Sequence, residues 1–154
     1  MPERRADACP FNLRKPYTIL SVCCLENARI AHEFGHHLQT LLGTTQRVES
    51  ARQQSERQAN RASVAPELQA DCFAGVWAAN AAAASNGKVA PEPGDLEQGL
   101  RTATAIGDDT LQRRSTGRVV PERFTHGSAA QRVEWLKRGY QSGDPATCDT
   151  FGNP

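Results

Sequence analysis

The sequence predicts a mainly α-helical fold with little or no sheet. Apolar residues recur at helical spacing in several separate segments, much of the apolar content is alanine, and no segment shows the sustained alternation of a clear strand. At 154 residues the length suits one domain, and 38% hydrophobic with 6% aromatic residues makes its core lean. A formal charge of +1 predicts no attraction to nucleic acid or to a membrane surface. No run of about 18 apolar residues exists and residues 1–15 lack the apolar stretch of a secretory signal. The chain is therefore read as soluble as given, with no membrane segment.

Residues 1–20 carry Pro2, Pro10 and Pro16 with scattered charges, and are expected to be a poorly ordered segment ahead of one domain over residues 21–154. The helical pattern begins at Ser21 and ends near Leu41-Leu42-Gly43, where glycine suits a C-terminal cap. Residues 46–61 are polar almost throughout and predict an exposed helix or connector. Ser63 to Pro66 are expected to open the next helix, since proline is tolerated in a first turn, with Leu68, Cys72, Val76 and Ala79 as its apolar line. Glu67 then falls near that helix's start. An alanine run over residues 78–84 gives way to Ser85-Asn86-Gly87 and a loop with Pro91, Pro93 and Gly94.

Asp95 is expected to cap a helix reaching about Arg114, with Leu96, Leu100, Ala103 and Leu111 inward. Residues 118–123 are the one place for a short strand. Ser128 and Gln131 have capping-box spacing for a helix over residues 129–140 that buries Val133, Leu136 and Tyr140. Trp77 and Trp135 are expected to anchor the core. The five cysteines, Cys9, Cys23, Cys24, Cys72 and Cys148, match no zinc-ribbon spacing and read most simply as buried or incidental thiols. A bridge from Cys148 to an upstream cysteine stays open.

His32-Glu33-Phe34-Gly35-His36 forms an HExxH pattern. On a helix His32 and His36 diverge by about 40° and stand roughly 6 Å apart along the axis, so two ring nitrogens can meet one metal ion. Glu33 lies about 100° round from His32, flanking the ion as a general base toward a metal-activated water would. That arrangement serves zinc-dependent peptide-bond hydrolysis, so one Zn2+ and a peptide or protein substrate are the expected cofactor and partner.

Catalytic zinc usually takes three protein ligands, and Glu67 is the candidate third. Asp71, one helical turn on, is the natural acceptor for the second ring N–H of His32. His37, about 140° from His32, is too far round to share the metal and is read as structural or as supporting a ligand. Asp108 and Asp109 are adjacent and so diverge by about 100°, which favours a solvated or packing role. The competing reading makes His32 and His36 surface residues of an amphipathic helix whose apolar stripe is Ile30, Phe34, Leu38, Leu41 and Leu42.

Residues 30–39, Glu67-Leu68-Gln69-Ala70-Asp71-Cys72-Phe73-Ala74-Gly75-Val76-Trp77, Ala105-Ile106-Gly107-Asp108-Asp109 and residues 124–149 occur in that order. Together they resemble the bacterial putative neutral zinc metallopeptidase family. The resemblance covers residues 30–151 and implies a zincin-like helical core in which the HExxH helix packs on the helix donating Glu67. It also implies a peptidase of gluzincin type, with His32, His36 and Glu67 as ligands and Glu33 as base. By analogy with zincins, where a late histidine or arginine steadies the oxyanion, His126 is the candidate donor and Arg132 the alternative.

Members of the family often carry a membrane-spanning helix and strands in a longer N-terminal region, with an extracytoplasmic catalytic domain. Residues 21–27 depart from the usual lead-in to the HExxH helix, and Pro66 stands immediately before the proposed third ligand. The alternative expectation is therefore a truncated, non-catalytic family member that binds zinc weakly or acts as an interaction module.

Overall fold

A computed structural model describes residues 20–52, 56–92 and 94–151, with side chains described over 29–46, 48–50, 58–92 and 94–151. The expected disorder of residues 1–20 falls outside these residues except for Leu20, as do Cys9 and the side chains of Cys23 and Cys24. The described residues form α1 (Leu20–Leu41), α2 (Thr44–Arg52), α3 (Glu56–Ala84), α4 (Asp95–Ala105), α5 (Asp108–Thr116) and α6 (Ala129–Ser142). Two 3-10 turns, Pro121–Arg123 and Pro145–Cys148, complete the order, and no strand occurs among the described residues. The mainly α fold expected from composition and periodicity is the one observed.

Helix α3 is the axis of the molecule, contacted by α1, α2, α6 and both 3-10 turns. Two close approaches set its neighbours. Gly35 of α1 sits so near α3 that a Cβ there would meet the Cα of Ala70 at 3.0 Å. Where α6 crosses α3, a Cβ on Gly139 would run into the carbonyl of Cys72, and one on Gly75 into the carbonyl of Leu136. The HExxH helix and the Glu67 helix are thus in direct contact through backbone. The buried apolar residues are correspondingly small, Ala31, Ala70, Ala74, Ala81, Ala103 and Ala129 among them, around a cluster of Cys72, Phe73 and Cys148.

Cys72 and Cys148 form a disulfide across 76 residues of chain, which settles the open bridge and replaces the reading of both as incidental thiols. Closing a loop of that length stabilises a fold by about 4.5 kcal/mol on the chain-entropy model. The C-terminal stretch lies along α3 beside it. Asn80 donates to the Gly143 carbonyl at 2.9 Å, Gln69 to that of Cys148 at 2.9 Å, and Thr150 to that of Ala65 at 2.7 Å.

Several local expectations are corrected. Helix α3 begins at Glu56, so Pro66 lies inside it and Glu67 is mid-helix. The missing prolyl N–H removes one bond from the ladder, which a helix held by packing on several sides tolerates. The helix expected from Asp95 to Arg114 breaks between α4 and α5 because the Asp108 carboxylate is drawn to a later loop. Gly94, not Asp95, is the N-cap of α4, while Asp95 accepts from the Glu92 N–H at 2.7 Å. Residues 118–123 supply a 3-10 turn in place of a strand, since Pro121 has no N–H for a ladder. Trp77 and Leu111 are exposed, whereas Trp135 packs on the disulfide cluster. The Ser128–Gln131 capping box forms as expected.

Replacing a helical glycine by alanine ordinarily stabilises by up to about 1 kcal/mol. At the α3–α6 crossing the sign reverses: Gly139→Ala is expected to lower stability by roughly 3 kcal/mol, read as a fall in thermal unfolding temperature. An unchanged or raised temperature would contradict the crossing.

Candidate metal centre

One face of α1 and the facing turn of α3 bring His32, His36 and Glu67 together. One ligand atom from each lies within 4.8 Å of the other two. His32 Nε2 is 3.3 Å from Glu67 Oε2, and His36 Nε2 is 3.5 Å from Glu67 Oε1. Donor atoms about 2.0–2.1 Å from a tetrahedral zinc stand roughly 3.3 Å apart, so both spacings match edges of such a site. Two imidazole nitrogens and a carboxylate oxygen are also the donor set that suits zinc.

Each ring is oriented from behind. His32 Nδ1 donates to Asp71 Oδ1 at 2.8 Å, the partner expected from the sequence. His36 Nδ1 donates to Gln39 Oε1 at 2.9 Å, and the buried Gln39 amide donates in turn to the Pro66 carbonyl at 2.6 Å. Both histidines therefore turn Nε2 toward Glu67. Gln39 escaped the sequence reading, although a glutamine three residues after a ligand histidine on the same helix is within reach of its ring.

Behind Asp71 stands Arg132 of α6, buried and bidentate: Nε donates to Oδ2 at 2.8 Å and an Nη to Oδ1 at 2.9 Å. Burial opposes its charge, but the Asp71 carboxylate more than offsets this and raises the Arg132 pKa. Burial likewise works against a charged His32. Hydrogen bonds to Asp71 and Glu67 overcome it and lift the His32 pKa from 6.5 to about 9. Glu67 is held below its usual range despite burial by His32, His36 and His126.

These side chains line a cleft of about 610 Å³ with Glu33, His126, Arg29 and an apolar wall that includes Ala74, Ala103, Ile106 and Leu136. Glu33 is exposed at the opening. His126 enters from the loop before α6, with Nδ1 3.3 Å from Asp108 Oδ1 and 3.0 Å from Thr125 Oγ1. Asp108 holds that loop. Its Oδ2 accepts from the backbone N–H groups of Thr125 and His126 at 2.7 Å each and of Gly127 at 3.1 Å. Asp109 accepts from the Ala129 N–H at 2.7 Å. The two aspartates thus pack, as expected, but Asp108 also determines where His126 stands, a role that no local spacing signals across 18 residues.

His37 points away and lies against Phe34, with ring centroids 5.8 Å apart. The competing reading inverts the helix: His32 and His36 face α3, while Ile30, Phe34, Leu41 and Leu42 are exposed.

A helical domain presenting two histidines of one helix against a glutamate of another has a cluster that could hold a metal ion, and comparison with known families narrows the class. The model of the putative neutral zinc metallopeptidase family matches residues 26–151, and the chain belongs to that family. It is similar to the uncharacterised protein YpfJ of Escherichia coli (strain K12), 54% identical over 124 residues that cover 80% of this chain and 42% of the relative. It is also 49% identical over 128 residues to the uncharacterised protein Rv2575 of Mycobacterium tuberculosis (strain H37Rv), covering 79% and 42% respectively. The chain thus spans about two fifths of the length of these relatives. No solved structure gives a significant match. No helix among the described residues is long and apolar enough to cross a membrane.

Two outcomes follow from this geometry. Asp71→Asn, nearly isosteric, is expected to weaken zinc affinity roughly 10- to 100-fold in a chelator competition, because the ring of His32 loses its anionic acceptor. Unchanged affinity would contradict the Asp71–His32 link. In metal-free protein a His32 pKa raised from 6.5 to about 9 favours the fold fully below pH 6.5, and that contribution disappears as pH rises through 9. Thermal unfolding temperature is expected to fall across this window for metal-free protein and to fall less, or rise, with zinc present. A flat metal-free profile would contradict the protonated imidazole.

Proposed function

We propose that this chain carries the zinc-binding and catalytic core of a metallopeptidase, with His32, His36 and Glu67 as metal ligands, Glu33 as general base and His126 as oxyanion donor. The observation that carries the reading is the convergence of two Nε2 atoms and a carboxylate from two helices, with each imidazole's other nitrogen already engaged. Zinc bound there would supply the Lewis acidity that makes water nucleophilic near neutral pH. Glu33, exposed at the cleft mouth, takes the proton of the attacking water and passes it to the leaving amine. His126 has Nδ1 turned to Asp108 and Thr125, which leaves Nε2 facing the oxygen of the tetrahedral substrate carbon, to which it donates as the doubly protonated imidazolium. Asp71 and Arg132 fix the orientation of His32. The apolar wall gives a substrate side chain somewhere to lie.

The test pairs metal content with cleavage of unfolded casein by the full chain, with and without chelator. Wild type is expected to hold one zinc and cleave in a chelator-sensitive way. Glu33→Gln is expected to hold the same zinc and lose at least about 100-fold in rate. Comparable rates for the two proteins would contradict the role of Glu33. Stoichiometric zinc without any cleavage would favour the non-catalytic family member, and absence of zinc would remove both readings.

A further inference from the structure

The cleft changes character along its length. Helix α1 runs antiparallel to α3 beside it, since His36 meets Glu67 while His32, one turn earlier, meets Asp71, one turn later. In the same direction the next turn carries Arg29 on α1 and Ala74 on α3. On α6 the corresponding step leads from Arg132, which holds Asp71, to Leu136. A recess walled by Ala74, Leu136 and Gly99 of α4 therefore opens beyond the metal-binding side chains, about 4.5 Å along the α3 axis from Asp71. The face of α4 turned to the cleft, with Gly99, Thr102, Ala103 and Ile106, carries no charge.

Gly99 is the informative wall. It lies inside α4, where glycine weakens a helix relative to alanine because it has more backbone freedom to lose. The other described glycines each have a local reason: they either hold a positive φ or stand where a Cβ would press on a neighbouring backbone. Gly99 does neither. A Cβ there would meet only Leu136 Cδ2, at 3.5 Å, which is ordinary contact. Packing thus admits a side chain at this position, and what glycine leaves is depth in the cleft, its usual service where backbone lies close to a ligand.

We infer that Gly99 sets the substrate preference of the cleft: the recess takes a bulky apolar side chain, leucine or phenylalanine, of a residue flanking the scissile bond, and Gly99 fixes how deep that side chain reaches. This deepens the proposed peptidase reading and rests on it. Exchanging a methyl for a phenyl group in the recess is expected to tighten binding by at least about 10-fold through apolar burial. Arg29, exposed at the rim, opposes a lysine or arginine there by like charge.

The test uses the zinc-loaded full chain and a pair of hydroxamates with the same zinc-anchoring head group, acetohydroxamate and phenylpropanohydroxamate, titrated by calorimetry. Wild type is expected to prefer the phenyl compound by at least about 10-fold. Gly99→Leu, which fills the recess, should cut that preference to about 2-fold or less while holding zinc and unfolding at no lower a temperature, and Gly99→Ala should cut it part-way. Equal affinities in wild type would overturn the inference, as would an undiminished preference in Gly99→Leu. Should Gly99→Leu lose zinc or helicity, Gly99→Ala decides, and an undiminished preference there counts the same way. Casein fragments made by wild type, read by mass spectrometry, should carry Leu or Phe at one position beside the cut, and those made by Gly99→Leu should carry Gly, Ala or Ser. A phenyl preference without casein cleavage would support the recess and contradict the peptidase reading. Cleavage with no preference beside the cut would overturn the inference and leave that reading standing.

Discussion

The Asp71 carboxylate is the interaction on which the arrangement turns. It accepts from His32 on α1 and, through both oxygens, from Arg132 on α6, while itself belonging to α3. One buried side chain thus ties together three of the four helices that line the cleft. A buried carboxylate with one cation beside it is costly unless its lone pairs are used, and a bidentate guanidinium plus an imidazole N–H uses them. The same network fixes which nitrogen of His32 is turned toward Glu67. Stability and the geometry of the candidate metal centre are consequently one problem in this protein.

The rest of the fold supplies the rigidity that such a network needs, with small residues in place of a large core. Close helix contact at Gly35 and at the Gly75–Gly139 crossing lets backbones approach where bulky side chains would hold them apart. The Cys72–Cys148 disulfide and three hydrogen bonds to the adjoining chain then hold the C-terminal stretch against α3. Cys72 follows Asp71 directly in sequence, so the covalent anchor and the polar anchor occupy neighbouring positions on α3 and face different partners. The Asp108 carboxylate performs the corresponding service for the His126 loop, replacing ladder hydrogen bonds that an irregular segment cannot make.

The sequence made the helical class, the HExxH face, Glu67 and the Asp71–His32 pair legible because each follows from spacing on one helix or from the chemistry a ligand requires. The Ser128–Gln131 box was legible for the same reason. Features that depend on distant elements were not. Pro66 looks like a helix start when only local propensity is weighed, whereas packing on both sides of α3 carries the helix through it. The break before Asp108 comes from a loop 17 residues downstream, and Arg132 reaches Asp71 across 61 residues. The outer stripe of α1 misled in a more instructive way. Its apolar residues do satisfy helical periodicity, but the side that faces α3 carries His32, Gly35 and Gln39, which apolar periodicity does not pick out.

The most direct measurement is zinc K-edge X-ray absorption on the zinc-loaded full chain, since it reads the donor atoms themselves. The account requires two imidazole nitrogens and oxygen donors at about 2.0–2.2 Å, without sulfur. Sulfur scattering near 2.3 Å would place the ion on cysteine thiolates instead. That result, or fewer than two imidazoles, would contradict convergence of His32, His36 and Glu67 on one ion.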